Sequence, residues 1–107
     1  METNIIAEIG WNHMGDMELA KKMIKSAYEA GADYAKFQTW STKNLKPGPW
    51  DTDGRLELYE KSQLSNEQHY VLRDYCNQLG INFLTSIFNH NDAEWLSELS
   101  NNCIKIP

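Results

Sequence analysis

Short apolar runs rich in β-branched residues alternate with segments of helical periodicity along the whole chain, and this alternation limits the fold more than any other feature. The run Asn4 to Gly10 (NIIAEIG) is apolar except for Glu8, as expected of a parallel strand carrying one polar residue near its C-terminal end. After a turn at residues 11–15, Asp16 is placed to cap a helix. Met17, Ala20, Met23, Ile24, Ala27 and Tyr28 then recur at spacings of three and four, and Gly31 stands where a C′ residue ends the helix. A second strand, Tyr34 to Trp40, follows closely enough to make a right-handed βαβ unit, so the two strands should be parallel neighbours.

Between Ser41 and Leu64 the periodicity is lost. Pro47-Gly48-Pro49, Asp53-Gly54, Trp40 and Trp50 mark a long connection with at most a short helical turn at Leu56 to Lys61. Ser65 and Gln68 form a capping box for a helix whose apolar face is Val71, Leu72, Tyr75, Cys76 and Leu79 before Gly80 stops it. Ile81 to Phe88 reads as a third strand, Asn91 to Leu99 as a third helix, and Cys103 to Ile106 as the start of a fourth strand. The fold expected is α/β, with four parallel strands in order one to four and three helices on one side. At 107 residues this is well under half of a (β/α)8 TIM barrel of about 250 residues, so any barrel signal here must be a piece of one.

Composition narrows the function. Ten Lys and Arg against fifteen Asp and Glu give a net charge of −5, with the basic residues scattered, which argues against nucleic acid and anionic membranes as partners. There is no signal-peptide pattern and no run of the roughly 18 apolar residues a membrane helix needs, so a cytoplasmic location is expected. Cys76 and Cys103 have no metal-type spacing and read as reduced packing residues.

In a parallel α/β array the C-terminal ends of the strands open on one face, where ligand groups collect. The polar interruptions there are Glu8, Lys36 and Gln38, Thr85 and Ser86, and Lys105. One reading makes Glu8 a structural ion-pair partner of Lys36 or Lys105. The other makes a pocket in which two ammonium groups and two hydroxyls hold an anion while the carboxylate accepts from sugar hydroxyls. His13 could carry protons or bridge loop backbone, His69 and His90 read as surface residues, and Trp40 and Trp50 either pack the loop or line a lid.

The stretches IIAEIGWNHMGD (5–16), GADYAKFQT (31–39), Tyr59-Glu60, GINFLTSIF (80–88) and IKIP (104–107) resemble the N-acetylneuraminate (sialic acid) synthase family, which includes pseudaminate, legionaminate and spore-coat polysaccharide synthases. The resemblance runs over essentially the whole chain. It implies residues 1–107 as the N-terminal half of a TIM (β/α)8 barrel domain, holding strands one to four, with the rest of the barrel and any C-terminal antifreeze-like domain absent and the segment inactive by itself. It further implies an enzyme that condenses phosphoenolpyruvate with an N-acylated amino sugar such as N-acetylmannosamine. Phosphate is released, and the product is a nonulosonic, sialic-type acid.

By the same resemblance Glu8 holds the acceptor sugar, Lys36, Ser86 and Lys105 hold phosphoenolpyruvate, and Phe88 lies beside the pocket, with Glu8, Lys36 and Lys105 as the catalytic set. A divalent metal, Mn2+ or Mg2+, is implied with ligands outside this segment, as is a homodimer of the intact enzyme. Where the family often has Ser-Thr-Pro-Phe, this chain has Thr85-Ser86-Ile87-Phe88, keeping both hydroxyls and losing the proline. The competing function is a stand-alone half-barrel that binds or assembles without catalysis. A related barrel enzyme acting on another aldehyde is a third reading.

Overall fold

A computed structural model describes residues 2–101 and 103–107. Strands β1 (Ile6–Gly10), β2 (Tyr34–Thr39) and β3 (Asn82–Ile87) form one sheet in the order β1-β2-β3, with both pairs parallel. The helices are α1 (Met17–Glu29), α2 (Arg55–Ser62), α3 (Asn66–Leu79) and α4 (Ala93–Leu99).

Helix boundaries follow the chain's own chemistry. The Asp16 carboxylate accepts from the Glu18 and Leu19 amides at the start of α1. Ser65 and Gln68 close a reciprocal capping box on α3. Gly31 and Gly80 adopt φ of +90° and +97° where the two helices end, a region open to glycine at little cost.

The period of two along each strand sorts side chains onto two faces. Ala35 and Phe37 of β2 and Phe83 of β3 join Ala20 and Ile24 of α1 and Leu72 and Cys76 of α3 in one core, to which α4 adds Leu96 and Leu99. Phe37 and Phe83 stack with centroids 5.6 Å apart and are almost wholly buried. Side chains of this kind each contribute about 1.5–3 kcal/mol on leaving water, so this helix-covered face supplies most of the apolar stabilisation.

Several expectations need correction. The fourth strand is a single parallel bridge, Ser86 to Lys105, in which the Lys105 amide donates to Thr85 and the Ile87 amide to Lys105. Pro107 has no N–H to extend a ladder, and pairing stays at one position. Among the described residues there are four α-helices, because the helical turn expected near Leu56 to Lys61 is a full two turns, α2. Tyr28 and Val71, assigned to apolar faces, are 44% and 43% exposed, since each lies at the margin of its helix's buried stripe. Cys76 is buried, its thiol pushed up to about 12 by burial, whereas Cys103 is exposed and packs nothing.

Candidate active site at the strand ends

On the face away from the helices, the registers put the polar interruptions in two rows. Glu8 pairs in register with Lys36, and one step toward the C-terminal ends Gln38 pairs with Ser86 and Ser86 with Lys105. Partners in a parallel ladder project to the same side, so Glu8, Lys36, Ser86 and Lys105 share one face and one end of the sheet.

The ion-pair partner of Glu8 is Lys36, at 2.8 Å. The Lys36 side chain is 11% exposed and the Glu8 side chain 53%, so the pair is a buried ammonium covered by a carboxylate that opens to solvent. With one partner half in water the pair itself contributes about 1 kcal/mol or less. An ammonium has three donors and Glu8 occupies one, which leaves Lys36 able to bind an anion entering from the open side. Ser86 is buried beside it. Lys105 is exposed and its ammonium donates to the Ile106 carbonyl, so it shares the row without touching Glu8 or Lys36.

Thr85 does not join this site. It is the neighbour of Ser86, so the pleat sends it to the helix-covered face, where its hydroxyl lies 2.7 Å from Thr39 Oγ1. Thr39 Oγ1 is in turn 2.7 Å from Nε2 of His69, whose Nδ1 faces the Ser65 carbonyl at 2.7 Å. That carbonyl can only accept, so Nδ1 carries the proton and Nε2 accepts from Thr39. His69, expected at the surface, is fully buried in this network and lies edge-on to Trp95 at 5.3 Å. His90 is exposed, as expected.

His13 bridges loop backbone. It is fully buried, and its Nδ1 accepts from the Gly15 amide at 2.9 Å, fixing the loop between β1 and α1. Burial lowers the pKa of His13, and burial also outweighs the Ser65 hydrogen bond and Asp92 in lowering that of His69. Both rings therefore fold neutral, while the unfolded chain takes up protons near pH 6.5. Their contribution to stability is complete above about pH 6.5 and lost as pH falls below it. Urea unfolding is expected to show a lower midpoint at pH 5.5 than at pH 7.5, with a smaller drop in His69→Gln; equal midpoints in the parent protein would contradict the assignment.

Past the two rows stands an aromatic rim that the strand pattern did not reveal. Trp40 continues the side of Lys36 and Gln38, Phe88 continues that of Ser86, and Trp11 follows β1. Tyr59 of α2 contacts Trp11, Trp40 and Trp50 at centroid distances of 6.0, 5.5 and 5.7 Å. Trp11, Gln38, Trp40, Leu45, Tyr59 and Phe88 enclose a pocket of about 190 Å³. A larger cavity of about 600 Å³ lies on the helix-covered side, beside His69 and Trp95, and includes neither Glu8, Lys36, Ser86 nor Lys105.

Among the described residues no three His, Cys, Asp or Glu side chains gather as metal ligands. Nδ1 of His13 and both ring nitrogens of His69 are already engaged. Of the four ring nitrogens of these two histidines, only Nε2 of His13, which is buried, has no partner among the described residues. No helix among the described residues is long and apolar enough to cross a membrane.

The chain has recognisable relatives among known proteins. Residues 23–107 match the NeuB family. The chain is 36% identical to an N,N'-diacetyllegionaminic acid synthase of Legionella pneumophila over 96% of its own length and 32% of that protein. It is 38% identical to the N-acetylneuraminate-9-phosphate synthase of Mus musculus over 90% of its length and 30% of that protein. The crystal structure of an N-acetylneuraminic acid (sialic acid) synthetase from Leptospira borgpetersenii superposes with a TM-score of 0.82 at 25% identity, covering 99% of this chain and 36% of that one. The chain thus spans about a third of the length of the curated relatives it matches.

Proposed function

The chain belongs to the NeuB family, and from that premise we propose that it supplies the phosphoenolpyruvate-binding end of a sugar-acid synthase. In this reading residues 1–107 are the first part of a (β/α)8 barrel domain, and the enzyme is cytoplasmic and a homodimer when complete. The family relation supports the class of reaction. The observation in this chain that carries the reading is Lys36, whose side chain is 11% exposed on the face away from the helices and whose ammonium is paired with a half-exposed carboxylate.

Carbon three of phosphoenolpyruvate bonds to the aldehyde carbon of an open-chain N-acylated amino sugar, whose oxygen takes up a proton. Water then adds at carbon two and inorganic phosphate leaves, giving a 2-keto sugar acid. Lys36, with Lys105 and the Ser86 hydroxyl in the next row, orients the multiply charged phosphoenolpyruvate and neutralises it as carbon three becomes nucleophilic. Glu8 accepts from the sugar hydroxyls and is placed to handle the proton at the aldehyde oxygen. Phe88 bounds the acceptor side. A divalent metal, Mn2+ or Mg2+, belongs to the proposal with ligands outside these residues.

The alternative is a binding or assembly module without catalysis. The two are separated by assaying the full-length protein for phosphate release from phosphoenolpyruvate. Release that requires an N-acylated amino sugar supports the synthase. Absence of release with any such sugar, under metal-supplemented conditions, favours the module.

A further inference from the structure

The chain of hydroxyls and imidazole behind the sheet has a direction and an end. Nε2 of His69 takes the one hydroxyl hydrogen of Thr39, so Thr85, 2.7 Å from Thr39 Oγ1, must donate in that contact. The hydrogen bonds therefore run from Thr85 to Thr39 to His69 to the Ser65 carbonyl. The imidazole is the fixed point. Ser65 caps α3, its carbonyl also accepts from the His69 amide, and Phe83 and Trp95 pack against the ring at near right angles. Residues of this chain alone bury all three linked side chains.

These bonds pass directly behind the Ser86 row. In the β2–β3 register Phe37 stands opposite Thr85, Gln38 opposite Ser86 and Thr39 opposite Ile87, so the Thr39–Thr85 bond crosses diagonally under the Gln38–Ser86 pair. The Thr85 carbonyl also accepts from the Lys105 amide, which ties Lys105 to the same residue. We propose that His69 is a positioning residue for phosphoenolpyruvate: by holding Thr39, and through it Thr85, it fixes where Ser86 and Lys105 present their donors. The inference rests on the synthase reading and deepens it. Without the Thr39 hydroxyl, the acceptor left to Thr85 among the described residues is the Ser86 carbonyl at 3.3 Å, and the peptide that carries Ser86 is drawn out of place. Glu8 and Lys36 stand in the other row and share no member of this chain.

The test compares, in the full-length protein, Thr39→Val, which keeps the shape and removes the hydroxyl, with Thr39→Ser, which keeps the hydroxyl. Thr39→Val should raise KM for phosphoenolpyruvate about tenfold or more and leave KM for the acceptor sugar within about twofold, with Thr39→Ser close to the parent. A role in folding alone would lower Vmax through loss of active protein and move neither KM, and that result would overturn the proposal. An equal rise in both KM values would do the same. Thr85→Val removes the same bond from its other end and should give the same split, which decides the matter if Thr39→Val does not fold. His69→Phe, which keeps a ring and loses the acceptor, should raise the same KM and add nothing further when combined with Thr39→Val. Additive effects would mean that His69 does not act through Thr39. Amide hydrogen exchange needs no substrate. Exchange at Ile87 and Lys105 about tenfold faster in Thr39→Val than in the parent and Thr39→Ser would uphold the anchor, even in a protein whose failure to bind phosphoenolpyruvate removes the synthase reading. Unchanged exchange at both amides would sink the anchor whatever the kinetics.

Discussion

Gly15→Ala is expected to lower stability by at least about 3 kcal/mol, a fall in Tm of roughly 12 °C or more for a domain of this size. Two effects combine at this position. Gly15 has φ of +81°, where a side chain costs about 1–2 kcal/mol, and a Cβ built there would lie 2.0 Å from the backbone carbonyl oxygen of Lys61. A backbone atom cannot swing away as a side chain can, so α2 must move. That movement would break the contacts of Trp11 with Tyr59 and of Ser62 with Met14 Sδ, and with them the wall of the aromatic pocket. Gly31→Ala is the matched control, since φ there is +90° but nothing lies within 4 Å of the new atom. It should cost only the backbone strain. Thermal melts that show equal losses for the two variants would mean that the packing of the loop on α2 is looser than described.

Lys36→Ala in the full-length protein is expected to reduce kcat/KM for phosphoenolpyruvate by a hundredfold or more. A charge-assisted hydrogen bond to an anion contributes about 1.5–3 kcal/mol, which is ten- to a hundredfold, and the effect grows if the ammonium also meets charge in the transition state. Neither Ser86 nor Gln38 can supply the missing charge, and of the site's two lysines only Lys105 is left to meet the anion. The substitution also leaves Glu8 without its partner, adding a negative charge where the substrate must enter. Glu8→Gln keeps size and one acceptor, so its effect should fall chiefly on the sugar. Steady-state kinetics with each substrate varied in turn checks the division. Equal effects of both variants on both substrates would refute it.

The parallel βαβ order was legible because it depends on periodicity and helix ends, and Asp16, Ser65, Gln68, Gly31 and Gly80 all act locally. The grouping of Glu8 with Lys36 was legible as a possibility, and the register decides for Lys36 over Lys105. Two placements follow from spacing alone. Adjacent residues of a strand face opposite ways, so Thr85 and Ser86 could not both serve one pocket. His69 stands three and seven positions before Leu72 and Cys76, which puts it on the same buried helical face. Other features are tertiary. Nothing local indicates that Tyr59 will be gripped by Trp11, Trp40 and Trp50, because that depends on how the connection after β2 folds back over the strand ends. The expected fourth strand is represented by one parallel bridge, Ser86 to Lys105, beside β3 as the alternation predicts.

The most direct test of the site is calorimetric titration of phosphoenolpyruvate into the full-length protein and its Lys36→Ala and Glu8→Gln variants, without sugar. Saturable binding is expected in the parent, ten- to a hundredfold weaker in Lys36→Ala and equal or tighter in Glu8→Gln, which frees the ammonium from its carboxylate. Lys36→Ala binding phosphoenolpyruvate as tightly as the parent would show that Lys36 serves only its ion pair with Glu8 and that the anion site lies elsewhere.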